Sequence, residues 1–188
     1  MKKVEINDLE FTILFSADEI QERVKQLAKE IDQWYQENKW VPNGLIIMDG
    51  AFMFAADLTR NLKTDFPLQF VKIKSYSGVL QNEIIIESSF DFQTLKNKAV
   101  LIIEDILDTG NTMFELIKIL KGLPVLDLKI CSFLVKPEVL RADIQADWIG
   151  FEINPLFVVG YGMDYNGDGR GLSDIYQLAQ GSPNGHVK

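Results

Sequence analysis

Apolar positions along the chain follow two spacings, and each spacing predicts a different element. From Ile20 to Trp34 they recur every three or four residues, which predicts a helix with one buried face. Ser16 and Glu19 have capping-box spacing, so we expect this helix to begin at Ser16. Later apolar runs are short and continuous, as is typical of strands buried on both faces. These runs are "LIIM", "LQFVKI", "EIII", "AVLII", "LKICSFLV", "DWIGFEI" and "LFVVG".

Two further helical patterns separate these runs, in "AFMFAADLTRNL" and "TMFELIKILKGL". Buried strands interleaved with helices predict an α/β fold with an open, mainly parallel sheet flanked by helices. Ligands of such sheets bind outside the carboxyl ends of the strands. The strand ends expected to meet there are Asp49–Gly50, Ser75–Tyr76, Glu104–Asp105 and Lys136.

The size of the chain favours a single domain. Its 188 residues, 47% of them hydrophobic, can build one sizeable core, and we expect the domain to span residues 1–180. Residues 181–188, "GSPNGHVK", are polar and unpatterned, so they are expected to form a disordered tail with His186 in solvent. The single cysteine, Cys131, lies in an apolar run and is expected in the core.

Charge limits the kinds of partner. A net charge of −8 and a pI near 4.7 disfavour general binding of nucleic acid or of an anionic membrane. The sequence contains no apolar run of the roughly 20 residues that span a bilayer, and its N-terminus lacks the pattern of a signal peptide. We therefore expect a cytoplasmic protein. An anionic small molecule would need a local site of backbone amides, a metal ion or a few cations.

The stretch "VLIIEDILDTGNTM" has the features of such a local site. Glu104, Asp105 and Asp108 follow a buried strand, and the turn Thr109–Gly110–Asn111–Thr112 then leads into a helix. Amides at a helix start bind phosphate because they have no partners within the helix. Gly110 would allow the backbone to approach a ligand closely. The turn lacks the lysine and spacing of a nucleoside triphosphatase loop, which makes that class unlikely.

The three acids suggest separate roles. Glu104 and Asp105 could accept hydrogen bonds from a sugar diol or position a hard cation, while Asp108 is left to act as a base. The alternative is an acidic, capped helix start with no further function. A cap needs one acid or hydroxyl, whereas three acids stand here without a nearby cation in the sequence, so a functional site is favoured.

This motif resembles the phosphoribosyl-pyrophosphate signature of type I phosphoribosyltransferases, and specifically of their hypoxanthine-guanine branch. "KSYSG" resembles the mobile loop of that branch, "LVKPE" its base-recognition strand and "FVVGYGMDYNGDGRGL" its C-terminal hood. The resemblance runs from Phe11 to Leu178 with the segments in the family's order. It implies the type I phosphoribosyltransferase fold, in which the chain ends build a small hood over the sheet.

The resemblance also implies a reaction, which is transfer of phosphoribose to N9 of a 6-oxopurine with Mg²⁺ and release of pyrophosphate. Hypoxanthine or guanine would give IMP or GMP, and xanthine is a further candidate substrate. Glu104 and Asp105 would hold the ribose hydroxyls directly or through the metal. Thr109, Gly110, Asn111 and Thr112 would hold the 5′-phosphate. Asp108 would be the general base near N7 of the purine.

The purine would be held by residues of two later segments. Lys136 would donate to the oxygen at C6, where adenine carries a donor instead. Phe157 would stack on the base, and the backbone of Val158 would face its edge. Asp164 would face the second metal or the pyrophosphate side, and we count it both among the purine-binding residues and, with Glu104 and Asp105, among the metal ligands. Without the resemblance, Lys136 is a solvated strand end and Phe157 a core residue.

The pyrophosphate would lie against the loop that contains Asp49 and Gly50. In the family a lysine stands where this chain has Asp49, and the bond between that position and Gly50 can be cis. An aspartate facing pyrophosphate would repel it, so we expect the loop to act through backbone N–H groups. The Asp49 carboxylate should then point away, towards a basic residue or a neighbouring subunit. An ordinary Asp-Gly turn is the alternative.

Three further features follow from the resemblance. Arg170 would contact pyrophosphate, although Gly171 replaces the acid that commonly follows this arginine in the family. Ser75 and Tyr76 would belong to a loop that closes over the reacting centre and excludes water. Members of the family are commonly dimers or tetramers, so a homodimer or homotetramer is expected.

Two other functions are alternatives to a phosphoribosyltransferase. A regulatory protein could use the same fold to sense phosphoribosyl pyrophosphate and bind RNA, but the acidic composition and lack of an Arg/Lys-rich stripe weigh against it. A catalytically silent relative would be expected to have lost Asp108 or the threonines of the turn, and both are present.

Overall fold

The computed structural model describes residues 2–78, 81–86, 90–141 and 143–179, with only the backbone described for residues 74–78 and 81–86. The strands of this part of the chain are β1 Lys3–Ile6, β2 Leu9–Phe15, β3 Pro42–Met48, β4 Leu68–Gly78, β5 Gln81–Ile86, β6 Ala99–Leu107, β7 Asp127–Val135, β8 Trp148–Glu152, β9 Val158–Val159 and β10 Ile175–Leu178. Its α-helices are α1 Ala17–Asn38, α2 Phe52–Asn61 and α3 Asn111–Lys121.

The main sheet has the strand order β5-β4-β3-β6-β7-β8. Strands β4, β3, β6, β7 and β8 are parallel, and β5 alone is antiparallel, on the edge beside β4. Helices pack on both faces, as the sequence predicted. Along β3, for example, Ile46 faces the cluster with α1 and α2, while Leu45 and Ile47 face the cluster with α3. This burial on both faces explains the continuous apolar runs.

Helix α1 begins where the capping box indicated. The Ser16 side chain accepts from the Glu19 amide, and the Glu19 carboxylate accepts from the Ser16 amide at 2.8 Å. The helical stripe that includes Ile20, Val24 and Leu27 is fully buried. Local sequence and tertiary packing therefore specify the same helix.

A second, antiparallel sheet has the order β1-β2-β10-β9 and joins the two ends of the described chain. It is the hood that the resemblance implied, and its small core contains Leu9, Phe11, Val159 and Tyr176. Strands β1, β2 and β10 were not predicted from the sequence. They are short and mix polar with apolar residues, so they lack the continuous runs of the main sheet.

The structure corrects two predicted strand ends. Strand β6 continues through Leu107, two residues beyond its predicted end, so Glu104 and Asp105 lie inside the strand rather than at its end, and Glu104 pairs with Ser132 of β7. Strand β4 continues through Gly78, so the backbone of Ser75 and Tyr76 belongs to a strand rather than to the predicted loop. Both corrections have one cause: polar residues in a strand look like its end when only the apolar run is counted.

Other expectations are tested only in part. Cys131 is fully buried, as expected, and burial raises the pKa of its thiol. The side chains of Ser75 and Tyr76, together with residues 181–188 and His186, lie outside what the structure describes. No helix in the described ranges is long and apolar enough to cross a membrane.

Candidate active site

A cleft of about 270 Å³ lies at the carboxyl ends of β3, β6 and β7, where the hood meets the main sheet. It gathers side chains from segments that are distant in the sequence. The cleft is lined by Gly50, Asp105, Ile106, Asp108, Lys136, Phe157, Val158, Met163, Asp164 and Arg170. The structure thus brings together candidate residues from the acidic, purine-binding and pyrophosphate-binding groups, whereas the phosphate turn is not among the described residues that line the cleft.

Glu104 and Asp105 form an acidic pair at the base of this site. Glu104 is 9% exposed, and its burial, helped by the charge of Asp105, raises the pKa of its carboxyl well above the ordinary value. Burial also raises the pKa of Asp105, although hydrogen bonding with Glu104 and the positive charge of Arg170 act in the opposite direction. Two adjacent carboxylates, one buried and one half-buried, repel each other, so a cation bound there would stabilise their ionised form.

The acidic pair fits Mg²⁺ because that ion prefers oxygen ligands and is usually bound through one or two carboxylates together with substrate phosphates. Within the described residues, no three acidic, histidine or cysteine side chains are grouped as a metal site. Protein groups alone therefore do not complete a coordination shell. For the third predicted ligand, Asp164, Oδ1 lies 2.7 Å from Arg170 Nη2, and Oδ2 accepts from the Gly167 amide at 2.7 Å.

Asp108 and Lys136 form an ion pair across the cleft, with 2.7 Å between Oδ2 and Nζ. No local sequence pattern pairs Asp108 with a cation, so this contact follows from the fold. The Lys136 side chain is only 9% exposed, whereas that of Asp108 is 52% exposed. The Lys136 amide also donates to the Leu107 carbonyl at 3.0 Å, which fixes the start of its segment beside β6.

The predicted phosphate turn leads directly into α3. Gly110 is the N-cap residue with a φ of +77°, and the first amide to bond back within the helix is that of Phe114, at 2.9 Å to the Gly110 carbonyl. The earlier amides are therefore oriented as anion donors. A Cβ at position 110 would lie 2.8 Å from the Leu140 side chain. Glycine is therefore required here for packing and for the backbone conformation.

Arg141 lies beside this turn and was missed by the sequence analysis. Its amide donates to the Thr109 carbonyl at 3.2 Å, and its guanidinium approaches Asn111 Oδ1 at 3.4 Å and stacks 3.8 Å from the Phe114 ring centre. It places a cation near a turn that has no lysine of its own, although Asp143 accepts two hydrogen bonds from this guanidinium, at 2.9 and 3.0 Å, and partly neutralises it. No local motif marks Arg141, because its proximity arises from packing of the segment after β7 against α3.

In the loop after β3, the Asp49 carboxylate points to a basic residue, as expected. Lys72 of the neighbouring strand β4 donates to Asp49 Oδ2 at 2.6 Å. The cis peptide bond is Met48–Asp49, one residue earlier than the resemblance implied. A Cβ on Gly50 would lie 1.8 Å from Asp105 Oδ2, so the loop packs directly on the acidic pair.

The hood supplies the remaining wall. Arg170 donates to the Gly162 carbonyl at 2.8 Å as well as to Asp164. Phe157 is half-buried and packs against the rings of Phe11 and Tyr165, with Val158 buried next to it in β9. Phe157 and Arg170 therefore line the same cleft as Lys136 and Asp108.

Comparison with known proteins places this geometry in a family. The model for "Phosphoribosyl transferase domain" matches residues 16–166. The chain belongs to the phosphoribosyltransferase family. It is 38% identical over 176 residues to the hypoxanthine-guanine phosphoribosyltransferase of Aquifex aeolicus, an alignment that covers 93% of this chain and 98% of the relative.

Solved structures of phosphoribosyltransferases share the whole architecture. A hypoxanthine phosphoribosyltransferase from Staphylococcus aureus superposes with a TM-score of 0.83 at 35% identity, covering 96% of this chain and 98% of the other. The enzyme from Trypanosoma cruzi in complex with the product IMP gives 0.83 at 32% identity, with 94% and 98% covered. These matches confirm the predicted fold, including its hood.

Proposed function

We propose that this phosphoribosyltransferase is a purine salvage enzyme that converts hypoxanthine or guanine, with phosphoribosyl pyrophosphate, to IMP or GMP and pyrophosphate. One observation carries the proposal. A buried lysine is paired with a carboxylate at 2.7 Å in the same cleft as the acidic pair and next to the phosphate turn. The names of the relatives, and the IMP in the complex of one of them, support the same substrate class.

Lys136 and Asp108 are the groups that would recognise the purine base through hydrogen bonds. A 6-oxopurine offers its C6 oxygen as an acceptor and a proton at N7 as a donor, so it can replace the ion pair with two charge-assisted hydrogen bonds. Adenine has a donor at C6 and would leave the buried Lys136 ammonium unsatisfied. Removal of the N7 proton by Asp108 makes N9 more electron-rich as it attacks the ribose. Phe157 would pack on the face of the base, and Val158 would meet its edge.

The acidic pair would act on the sugar. Positive charge develops on the ribose as the bond to pyrophosphate breaks, and the carboxylates of Glu104 and Asp105 stabilise that charge. They also orient the ribose hydroxyls by accepting hydrogen bonds. Mg²⁺, held there by Glu104, Asp105 and the substrate, would neutralise the leaving pyrophosphate. Asp164 would join on the metal side once Arg170 turns to the pyrophosphate.

The 5′-phosphate and the pyrophosphate would bind to separate groups of residues. The amides and hydroxyls of Thr109 and Thr112 would hold the 5′-phosphate, with Arg141 nearby as a cation. The backbone of the loop at Gly50 and the guanidinium of Arg170 would hold pyrophosphate. Since Asp49 is paired with Lys72, its negative charge is partly neutralised before pyrophosphate arrives.

We also propose that the enzyme is a homo-oligomer. A second, apolar cleft of about 500 Å³ lies between α2 and β4, and it includes Phe52 and Phe70, which are 40% and 56% exposed. Large exposed aromatic side chains around an apolar cleft favour contact with another chain. Sedimentation analysis should give a dimer or tetramer, and a monomer at micromolar concentration would refute this part.

An assay with four bases tests the proposed activity. The protein is incubated with phosphoribosyl pyrophosphate, Mg²⁺ and each of hypoxanthine, guanine, xanthine and adenine, and nucleotide formation is followed. Product is expected with hypoxanthine and guanine and little with adenine. Efficient turnover of adenine would contradict the role of Lys136, and no turnover of any base would contradict the function. The ranking of the three oxopurines is decided by the same experiment.

A further inference from the structure

Asp57 of α2 is a buried carboxylate, 8% exposed, that accepts hydrogen bonds from two other parts of the fold. The Gln21 amide group of α1 donates to its Oδ2 at 2.5 Å, and the Tyr161 hydroxyl donates to the same atom at 2.8 Å. Arg60, on the same helix, pairs with Oδ1. Burial and the bond to Asp57 raise the pKa of Tyr161, so its hydroxyl stays a donor. The carboxylate thus joins both helices to the segment after β9.

Tyr161 occupies a turn whose backbone needs outside support. Its φ is +50°, in the left-handed region that residues other than glycine seldom adopt, and its side chain is 2% exposed. The ring packs on Phe133 with 5.2 Å between centres, and the amide donates to the Leu172 carbonyl at 2.8 Å. Among these contacts, the hydrogen bond from the Tyr161 hydroxyl to Asp57 is the polar one that joins the turn to helix α2.

The next residue, Gly162, touches both predicted pyrophosphate elements. Its amide donates to the Arg170 carbonyl at 3.0 Å, and its own carbonyl accepts from the Arg170 guanidinium at 2.8 Å. A Cβ on Gly162 would lie 2.0 Å from the Gly50 carbonyl oxygen, so the turn is in direct contact with the loop. Any shift of the turn at Tyr161 would therefore move the contact with Gly50 and the anchor of Arg170 together.

We propose that Asp57 and Tyr161 are positioning residues for pyrophosphate, whose hydrogen bond holds the 160–162 turn where Gly162 contacts Gly50 and Arg170. Neither residue is among those that line the cleft, so both act through other groups. The inference rests on the proposed function, because that function assigns Gly50 and Arg170 to pyrophosphate. A network that only stabilised the fold would affect all substrates alike, whereas a positioning network affects the pyrophosphate side selectively.

Tyr161→Phe is the direct test, because it removes the hydroxyl and keeps the ring that packs on Phe133. We expect the KM for phosphoribosyl pyrophosphate and the Kd for pyrophosphate to rise at least about fivefold. The rise should stay below the full effect of losing a hydrogen bond to a charged group. The kcat with hypoxanthine and the Kd for IMP should stay within about twofold of wild type. The separate variant Asp57→Asn should keep most of the wild-type affinity for pyrophosphate, since the Asn amide oxygen can still accept from the Tyr161 hydroxyl.

Tyr165→Phe is the matched control. It removes another hydroxyl-to-carboxylate bond near the hood, the 2.9 Å bond to Asp8, and leaves the 160–162 turn untouched. Its KM for phosphoribosyl pyrophosphate should equal that of wild type. Should Tyr161→Phe fail to fold, Gln21→Leu removes the other donor to the same oxygen and should give a smaller rise in the same KM with kcat unchanged.

The outcomes separate this proposal from the proposed function. A wild-type protein without phosphoribosyl transfer would overturn the function and the inference with it. An active wild type together with a folded Tyr161→Phe whose pyrophosphate affinity is unchanged would overturn the inference alone. Equal losses in every constant, or equal losses in Tyr165→Phe, would show a structural role only and would also overturn it.

Discussion

Replacing Asp108 with asparagine separates its chemical role from its structural one. Asn keeps the shape of Asp and an oxygen that can accept from Lys136, but it cannot take the purine proton. Loss of a general base lowers turnover about 10²–10⁴-fold, equivalent to about 2.7–5.5 kcal/mol. The ion pair with Lys136 involves a carboxylate that is 52% exposed, so solvent screening limits its contribution to stability to about 1 kcal/mol or less.

The kinetic effect of Asp108→Asn should therefore greatly exceed its effect on folding. Single-turnover rates measure the chemical step, the Kd for IMP measures product binding, and thermal unfolding measures stability. We expect a large fall in rate with nearly unchanged IMP affinity and unfolding temperature. Glu115→Gln, which removes an ion pair with Lys118 outside the cleft, should leave all three unchanged. A rate within tenfold of wild type, or a loss of IMP affinity as large as the loss of rate, would refute the assignment of Asp108.

Three further predictions concern the metal and pyrophosphate side. Burial raises the pKa of Glu104, and a metal ligand must be ionised, so the KM for magnesium phosphoribosyl pyrophosphate should rise as pH falls, beginning above the ordinary glutamate pKa of about 4.3. This rise should begin at lower pH in Glu104→Gln, and identical profiles would contradict the prediction. Gly50→Ala would bring a Cβ to 1.8 Å from Asp105 Oδ2, so it should weaken binding of phosphoribosyl pyrophosphate at least about tenfold. Gly171→Ala, whose Cβ would have nothing within 4 Å, should leave that binding unchanged. Asp49→Lys should change the same KM by no more than about tenfold, or 1.4 kcal/mol, and a much larger gain in affinity would show that Asp49 faces the substrate.

The sequence predicted the parts of the fold that are governed by local pattern. The capping box located the start of α1 at Ser16, and the continuous apolar runs located the strands of the main sheet. The end of β6 was misplaced because the buried Glu104 looks like the end of an apolar run, although Ser132 of the neighbouring strand continues the pairing. The position of a polar residue within a strand depends on its neighbours in the sheet, which a local pattern does not contain.

The contacts that complete the candidate site were harder to predict because they join distant residues. Lys72 and Asp49 are 23 positions apart, and Tyr161 and Asp57 are 104 apart, and neither pair has a local signature. Strand order and the return of the hood onto α2 bring these partners together. The expectation that Asp49 would turn to a basic residue or a neighbouring subunit came from the family resemblance, which places pyrophosphate against this loop, together with electrostatic repulsion. Only the structure identifies Lys72 as its partner.

A crystal structure of the protein with IMP is the decisive test of the proposed function, because this one ligand would contact both the purine-binding residues and the phosphate turn. We expect the 5′-phosphate within about 3 Å of the amides of residues 109–112. We also expect the purine against Phe157, with its C6 oxygen at Lys136 and N7 at Asp108, which requires the Lys136–Asp108 pair to separate. IMP bound with its phosphate away from this turn, or with the Lys136–Asp108 pair intact, would contradict the proposal.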